Sequence, residues 1–109
     1  MTIYAPGEIV LVDFPFVSGG AGVLRPALVI LDSGDSDVVL ARNTTQQHQS
    51  GYDLAIQDWQ RAGIRTASFV RLHKLVASNK SCVHRCLGKL QAVDHQRVAA
   101  VLQATFTAW

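Results

Sequence analysis

Apolar residues come in short runs separated by turn-forming residues, and the period changes only once, near the C-terminus. The clearest run is Ala27-Leu28-Val29-Ile30-Leu31, apolar at every position. In a strand, Ala27, Val29 and Leu31 face one side and Leu28 and Ile30 the other, so both faces are predicted to be buried. Pro26 fits only near the start of such a strand, because it has no N–H for the ladder. It also holds Arg25 extended. Glu8 to Phe14 reads as a first strand ended by Pro15, followed by a loop over 15–24 with three glycines. The second strand occupies about 25–32, and Asp32-Ser33-Gly34-Asp35 is a tight turn by composition. Ser36 to Arg42 is a third strand, hairpin-paired with the second.

Residues 43–51 form a polar loop with no apolar residue. Tyr52 to Ile56 is a short strand, and Asp58 to Ala62 one helical turn closed by Gly63. Thr66 to Leu72 is another strand, with Ala67, Phe69 and Leu72 feeding the core, and Lys74 to Ala77 continues or restarts it. Ser78 to Ser81 is a turn. Val83 to Leu90 is the last strand, with Gly88 as a candidate bulge. After that the period lengthens: Val98, Val101, Leu102, Thr105, Phe106 and Trp109 fall on one helical stripe, with Asp94 as the expected N-cap. The pattern predicts five to seven short strands in a small closed sheet with a C-terminal helix packed on it: mainly β, a β+α fold.

Composition limits this picture. The 109 residues make one domain, 1–109, and 49% apolar content fills one core. No run approaches a membrane span. No basic segment leads an apolar run at the N-terminus, so the expected location is cytoplasmic. Cys82 and Cys86 lie four apart, about 13 Å along a strand, too far to bridge. Cys82, His84 and Cys86 would share a strand face, yet three ligands in a row on a flat strand cannot converge on one ion. Both cysteines therefore read as ordinary buried or half-buried thiols, and no metal or other cofactor is expected.

Charge divides the chain more sharply. Residues 1–56 carry two basic and six acidic groups, a net of −4, whereas residues 57–109 carry eight and two, a net of +6. Between Trp59 and Val93 stand Arg61, Arg65, Arg71, Lys74, Lys80, Arg85 and Lys89 with no acid among them. Such a block is either a solvated face or a surface for an anionic partner, nucleic acid or an acidic protein segment.

Against that charge, four positions are candidates for chemistry. Arg25 is a permanent cation at the mouth of a buried strand, placed to hold a phosphate or merely exposed there. Thr44 and Thr45 follow the third strand, where hydroxyls either cap backbone groups or hydrogen-bond a phosphoryl oxygen. Arg71 and His73 share a strand face, and His73 can exchange a proton near neutral pH. Trp109 either staples the terminal helix to the sheet or contacts a partner.

The ordered set of these pieces carries a resemblance. Gly7-Glu8-Ile9-Val10-Leu11-Val12-Asp13-Phe14-Pro15-Phe16, a Gly-rich loop and Arg25-Pro26-Ala27-Leu28-Val29-Ile30 resemble the opening of PemK/MazF-type toxins. Asn43-Thr44-Thr45-Gln46, Tyr52-Asp53-Leu54, Ala62-Gly63-Ile64, Ser68 to Leu72 and Leu87-Gly88-Lys89-Leu90 continue it across nearly the whole chain. The resemblance implies an SH3-like barrel of the PemK/MazF/CcdB type in a homodimer. It implies metal-independent cleavage of single-stranded RNA, and neutralisation by an antitoxin with an acidic, disordered tail. It assigns Arg25 and Thr44 as catalytic, with Thr45 beside them, and Arg42, Gln46, Arg71, Lys74, Lys80 and Arg85 as RNA contacts. Some members carry an acid in the glycine loop, and some carry Arg-x-Asp where this chain has Arg71-Leu72-His73. Here Ser18 to Leu24 holds no acid, so the base is expected to be His73, or Arg25 acts without a carboxylate partner. Two alternatives stand beside this reading: a non-enzymatic, CcdB-like gyrase-poisoning toxin, and an inactive barrel that serves as a binding module.

Overall fold

The computed structural model describes residues 2–13 and 24–109. The end of the expected first strand at Pro15 and the glycine loop lie outside them. Six strands form one antiparallel sheet: β1 (Glu8–Asp13), β2 (Leu24–Leu31), β3 (Asp37–Thr44), β4 (Asp53–Ala55), β5 (Phe69–Asn79) and β6 (Val83–Lys89). A 3₁₀ turn (Lys80–Cys82) joins β5 to β6, and α1 (Ala92–Thr105) ends the chain. No helix among the described residues is long and apolar enough to cross a membrane.

The strand order is β4-β5-β3-β2-β1-β6. β2 lies inside it, and its two faces feed two cores. Leu28 joins Ile9, Ala41, Val70, Leu72 and Val98 under α1. Ala27 and Val29 join Val10, Val12, Val38 and Leu40 on the other face. The two-faced reading of this strand holds to Ile30, which packs on the α1 side, while Leu31 is exposed at the strand end. β5 is one continuous strand rather than two. Its register jumps between Ala41↔Leu75 and Arg42↔Arg71, so Leu72, His73 and Lys74 have no rung of their own. Val70 and Leu72 are buried and Ala67 is exposed, so the inward face is not the one expected from Ala67 and Phe69.

The expected closed sheet is not formed by hydrogen bonds, because β4 and β6 stand at opposite ends of the order. β4 is only three residues long, and the chain then turns through 57–63. That turn bridges the gap. Ala62 N–H donates to Asp58 C=O (3.2 Å), Gly63 N–H to Gln60 C=O (3.2 Å) and Ile64 N–H to Trp59 C=O (3.1 Å). This is a helical turn ending in the two-bond C-terminal closure that favours glycine, and Gly63 has φ +92°. Gly63 lies against the Leu87 carbonyl and Gly88 against the Ala62 carbonyl, so closely that neither position has room for a Cβ. The ladder between β1 and β6 also shifts beside them, from Ile9↔Gly88 to Val10↔Cys86. The bulge expected at Gly88 therefore leaves its neighbour Leu87 unpaired.

Asp94 is not the N-cap of α1, which is Gln91. It sits in the first turn, fully buried. Its carboxylate accepts from Gln57 N–H (2.9 Å) and Asp58 N–H (2.8 Å) and pairs with Arg97 (3.0 Å). It thus caps the start of the 57–63 turn rather than its own helix, an arrangement local sequence reading cannot reveal. The helical stripe is buried only near its start. Phe106 is 50% exposed and Trp109 wholly so, which overturns the expected staple.

Candidate functional site

At the seam where the turn meets β6 lies a groove of about 870 Å³. Its floor is apolar, from Leu11, Pro26, Ile64 and Leu87, and four arginines, Arg25, Arg42, Arg65 and Arg85, line it. Asn43, Thr44, Thr45, Gln46, Thr66 and Ser68 add polar groups, and no Asp or Glu among the described residues lines it. Each element contributes for a local reason. β2 delivers Arg25 because Pro26 keeps it extended at the strand start. β3 delivers Arg42 to Thr44 at its end, and the glycine closure at 63 directs Ile64 to Ser68 back across the sheet. β6 delivers Arg85 through its pairing with Leu11.

The β2–β3 ladder ends at Ala27↔Arg42. Continued by two residues, the same register sets Arg25 abreast of Thr44. Thr44 Oγ1 accepts from Gln46 N–H at 3.1 Å, as a local cap would. That bond uses a lone pair and leaves the hydroxyl hydrogen free to donate. Arg25 is half-buried. A guanidinium and a hydroxyl in one groove, whose charged lining among the described residues is all cationic, are fitted to a phosphodiester: the charge attracts it and the donors can follow its oxygens.

The structure separates the remaining predicted residues. Arg71 donates from Nε to Asp53 Oδ1 at 2.8 Å and does not line the groove. Desolvation raises the Asp53 carboxyl, but hydrogen bonds from Ser50 and Arg71 outweigh it and hold the group below its usual range. His73 is exposed and packs on Tyr52, ring centroids 5.1 Å apart, and it too lies outside the lining. Lys80 is tied to Asp32 at 2.9 Å. The Tyr4 N–H first, then Lys80 and the Gly34 N–H, bring Asp32 down to about 2. Lys74 is exposed and outside the lining. Cys82 lies in the 3₁₀ turn and not on the strand of His84 and Cys86, so the shared face is not formed. Cys86 is exposed rather than half-buried, although desolvation and the Glu8 carboxylate beside it raise its thiol.

Sequence reading did not single out Asn43, Thr66 or Ser68, and took Arg65 only as a member of the basic block. The available signal was Gly63: a glycine closure followed at once by Arg65-Thr66 places polar groups where the chain doubles back.

Comparison with known proteins places the chain by fold and by family. A search of the curated proteins finds no significant match. Among solved structures, an endoribonuclease from a mycobacterial species superposes with a TM-score of 0.75 at 15% identity, over 98% of this chain and 94% of that one. A mycobacterial endoribonuclease in complex with its cognate antitoxin gives 0.76 at 15% identity, over 95% of each chain. The MazE-MazF structure from Deinococcus radiodurans gives 0.72 at 14% identity, over 96% of each. At such identities the likeness establishes the fold. The family model for the PemK-like, MazF-like toxin of type II toxin-antitoxin systems matches residues 5–106, nearly the entire chain, and the chain belongs to that family.

Proposed function

We propose that the groove binds single-stranded RNA and cleaves it by attack of a 2′-OH on the adjacent phosphate. The observation that carries this is a groove lined by Arg25, Thr44 and three further arginines, with no acid among the described residues that line it. The 2′-oxygen bonds to phosphorus as the bond to the 5′-oxygen breaks, giving a 2′,3′-cyclic phosphate and a 5′-OH. Arg25 neutralises the charge that builds on the phosphoryl oxygens, and the Thr44 hydroxyl donates to one of them. Thr45 and Gln46 border the same position. The 2′-hydroxyl proton passes to groove water and the leaving oxygen takes one up. His73 is not given the base role, because it stacks on Tyr52 away from the groove. His73→Gln is expected to leave the acidic limb of the pH–rate profile in place.

The same cationic groove suits the acidic tail of a cognate antitoxin, whose binding would exclude RNA. We also propose that the working unit is a homodimer in the cytoplasm. A gyrase-directed reading is favoured by one observation, the exposed Trp109 at the chain end.

The test is cleavage of single-stranded RNA in EDTA by wild type and Arg25→Ala. Wild type should cut, and loss of Arg25 should slow cutting by about a hundredfold or more. Absence of cutting together with gyrase inhibition would replace this reading by the second.

A further inference from the structure

Asn43 is 5% exposed, lines the groove, and neither Oδ1 nor Nδ2 has a hydrogen-bond partner among the described residues. A buried amide left unpaired is uncommon and carries a free-energy cost, so its partner is to be sought outside the described residues. Its surroundings indicate what that partner is. Asn43 follows the last β2–β3 rung, Ala27↔Arg42, lines the same groove as Pro26, and pairs with Val70 on the other side. Pro26, Leu11, Ile64 and Leu87 form the apolar floor, a surface for a flat, weakly hydrated ring rather than for a phosphate. Thr44, the proposed phosphoryl donor, is the next residue along β3.

We infer that Asn43 reads one base of the bound RNA, one nucleotide's reach from the cleaved phosphate, by pairing its carbonyl and amine with the base edge. This rests on the RNA-cleaving reading of the groove. An amide can also meet the N–H and carbonyl of guanine or uracil, but its usual bidentate partner is an exocyclic amine beside a ring-nitrogen acceptor, which adenine offers and cytosine shares. Discrimination at this position should be strong. A matched base gives the buried amide the partners it lacks in the free chain, and a mismatched base does not.

The experiment is enrichment from a random 2′-O-methyl RNA pool, which has no free 2′-OH, by wild type and Asn43→Ala, with cleavage of ordinary RNA followed alongside. Wild type should enrich adenine or cytosine at one position by about tenfold to a hundredfold. Asn43→Ala should lose that preference and keep those at other positions. Its melting temperature should not fall, because removing an unpaired buried amide removes no bond; a marked fall would point to a structural role and overturn the inference. Equal enrichment by both proteins, no base preference by wild type, or a preference for guanine or uracil at the Asn43-dependent position would also overturn it. Base enrichment that depends on Asn43 in a protein that cuts no RNA would uphold the inference and reject cleavage. Cleavage with unchanged preferences would do the reverse.

Discussion

Two sets of basic side chains divide this molecule, and they do not overlap. Arg61, Arg71, Lys80 and Arg97 each hold a carboxylate partner, Asp58, Asp53, Asp32 and Asp94, and none of the four lines the groove. Arg25, Arg42, Arg65 and Arg85 line the groove, and among the described residues none has such a partner. Three of these four carboxylates join elements: α1 to the turn, β4 to β5, and the 3₁₀ turn to the β2–β3 connection. The groove keeps its positive field intact, which is what an anionic ligand needs for fast, salt-sensitive association.

The comparison can be broken at several points. The largest effect is expected at Asp94, whose loss leaves the Gln57 and Asp58 amides and the Arg97 charge without their acceptor. Asp94→Ala should cost about 3 kcal/mol or more and lower the melting temperature by on the order of ten degrees; calorimetry reads it directly. Next come the two seam glycines. Gly88→Ala forces a methyl against the Ala62 carbonyl and should cost about 1–3 kcal/mol in denaturant unfolding. Gly63→Ala adds the strain of a side chain at φ +92° and should cost more than Gly88→Ala.

Smaller still, and aimed at the charge division itself, is the salt dependence of binding to 2′-O-methyl RNA. Arg65→Gln or Arg85→Gln should each lower the log–log slope by about 0.7 for every phosphate that is no longer neutralised. Arg61→Gln, which removes a cation already paired with Asp58, should leave the slope where it was. Equal changes in both would erase the distinction between the sets. The smallest effect is at Asp32. Its carboxyl is lowered from 3.8 to about 2 on folding, so its ionised form stabilises the native state above pH 4. That contribution is lost as pH falls through 3.8 towards 2, and the melting-temperature gap between wild type and Asp32→Asn should close over the same interval.

The legibility of the sequence follows the range of each interaction. The two-faced β2 and the glycine-closed turn at 63 depend on neighbours in sequence, and both were readable. The basic block was readable as a block, but which cations remain free was not, since Lys80–Asp32 and Arg97–Asp94 are settled by side chains meeting in space. Asp94 has the residue type of an N-cap and precedes the helical stripe, and only the packing of α1 on the turn shows that it lies inside the helix and caps another segment. Trp109 continues the helical stripe in sequence, yet α1 ends at Thr105 and Trp109 stands wholly exposed beyond it. Asn43 stood within a polar run, and nothing in its neighbours distinguishes a floor residue from a loop residue.

The seam at Gly63 and Gly88 sets the calibre of the groove. The two ends of the sheet are held there by bare backbone resting on backbone, with no strand pair to cut. A methyl at either glycine has no room, so it can enter only by moving the two ends of the sheet apart. Gly63 also lines the groove, so the width of the mouth beside Arg25 and Thr44 and the integrity of the closure are a single constraint.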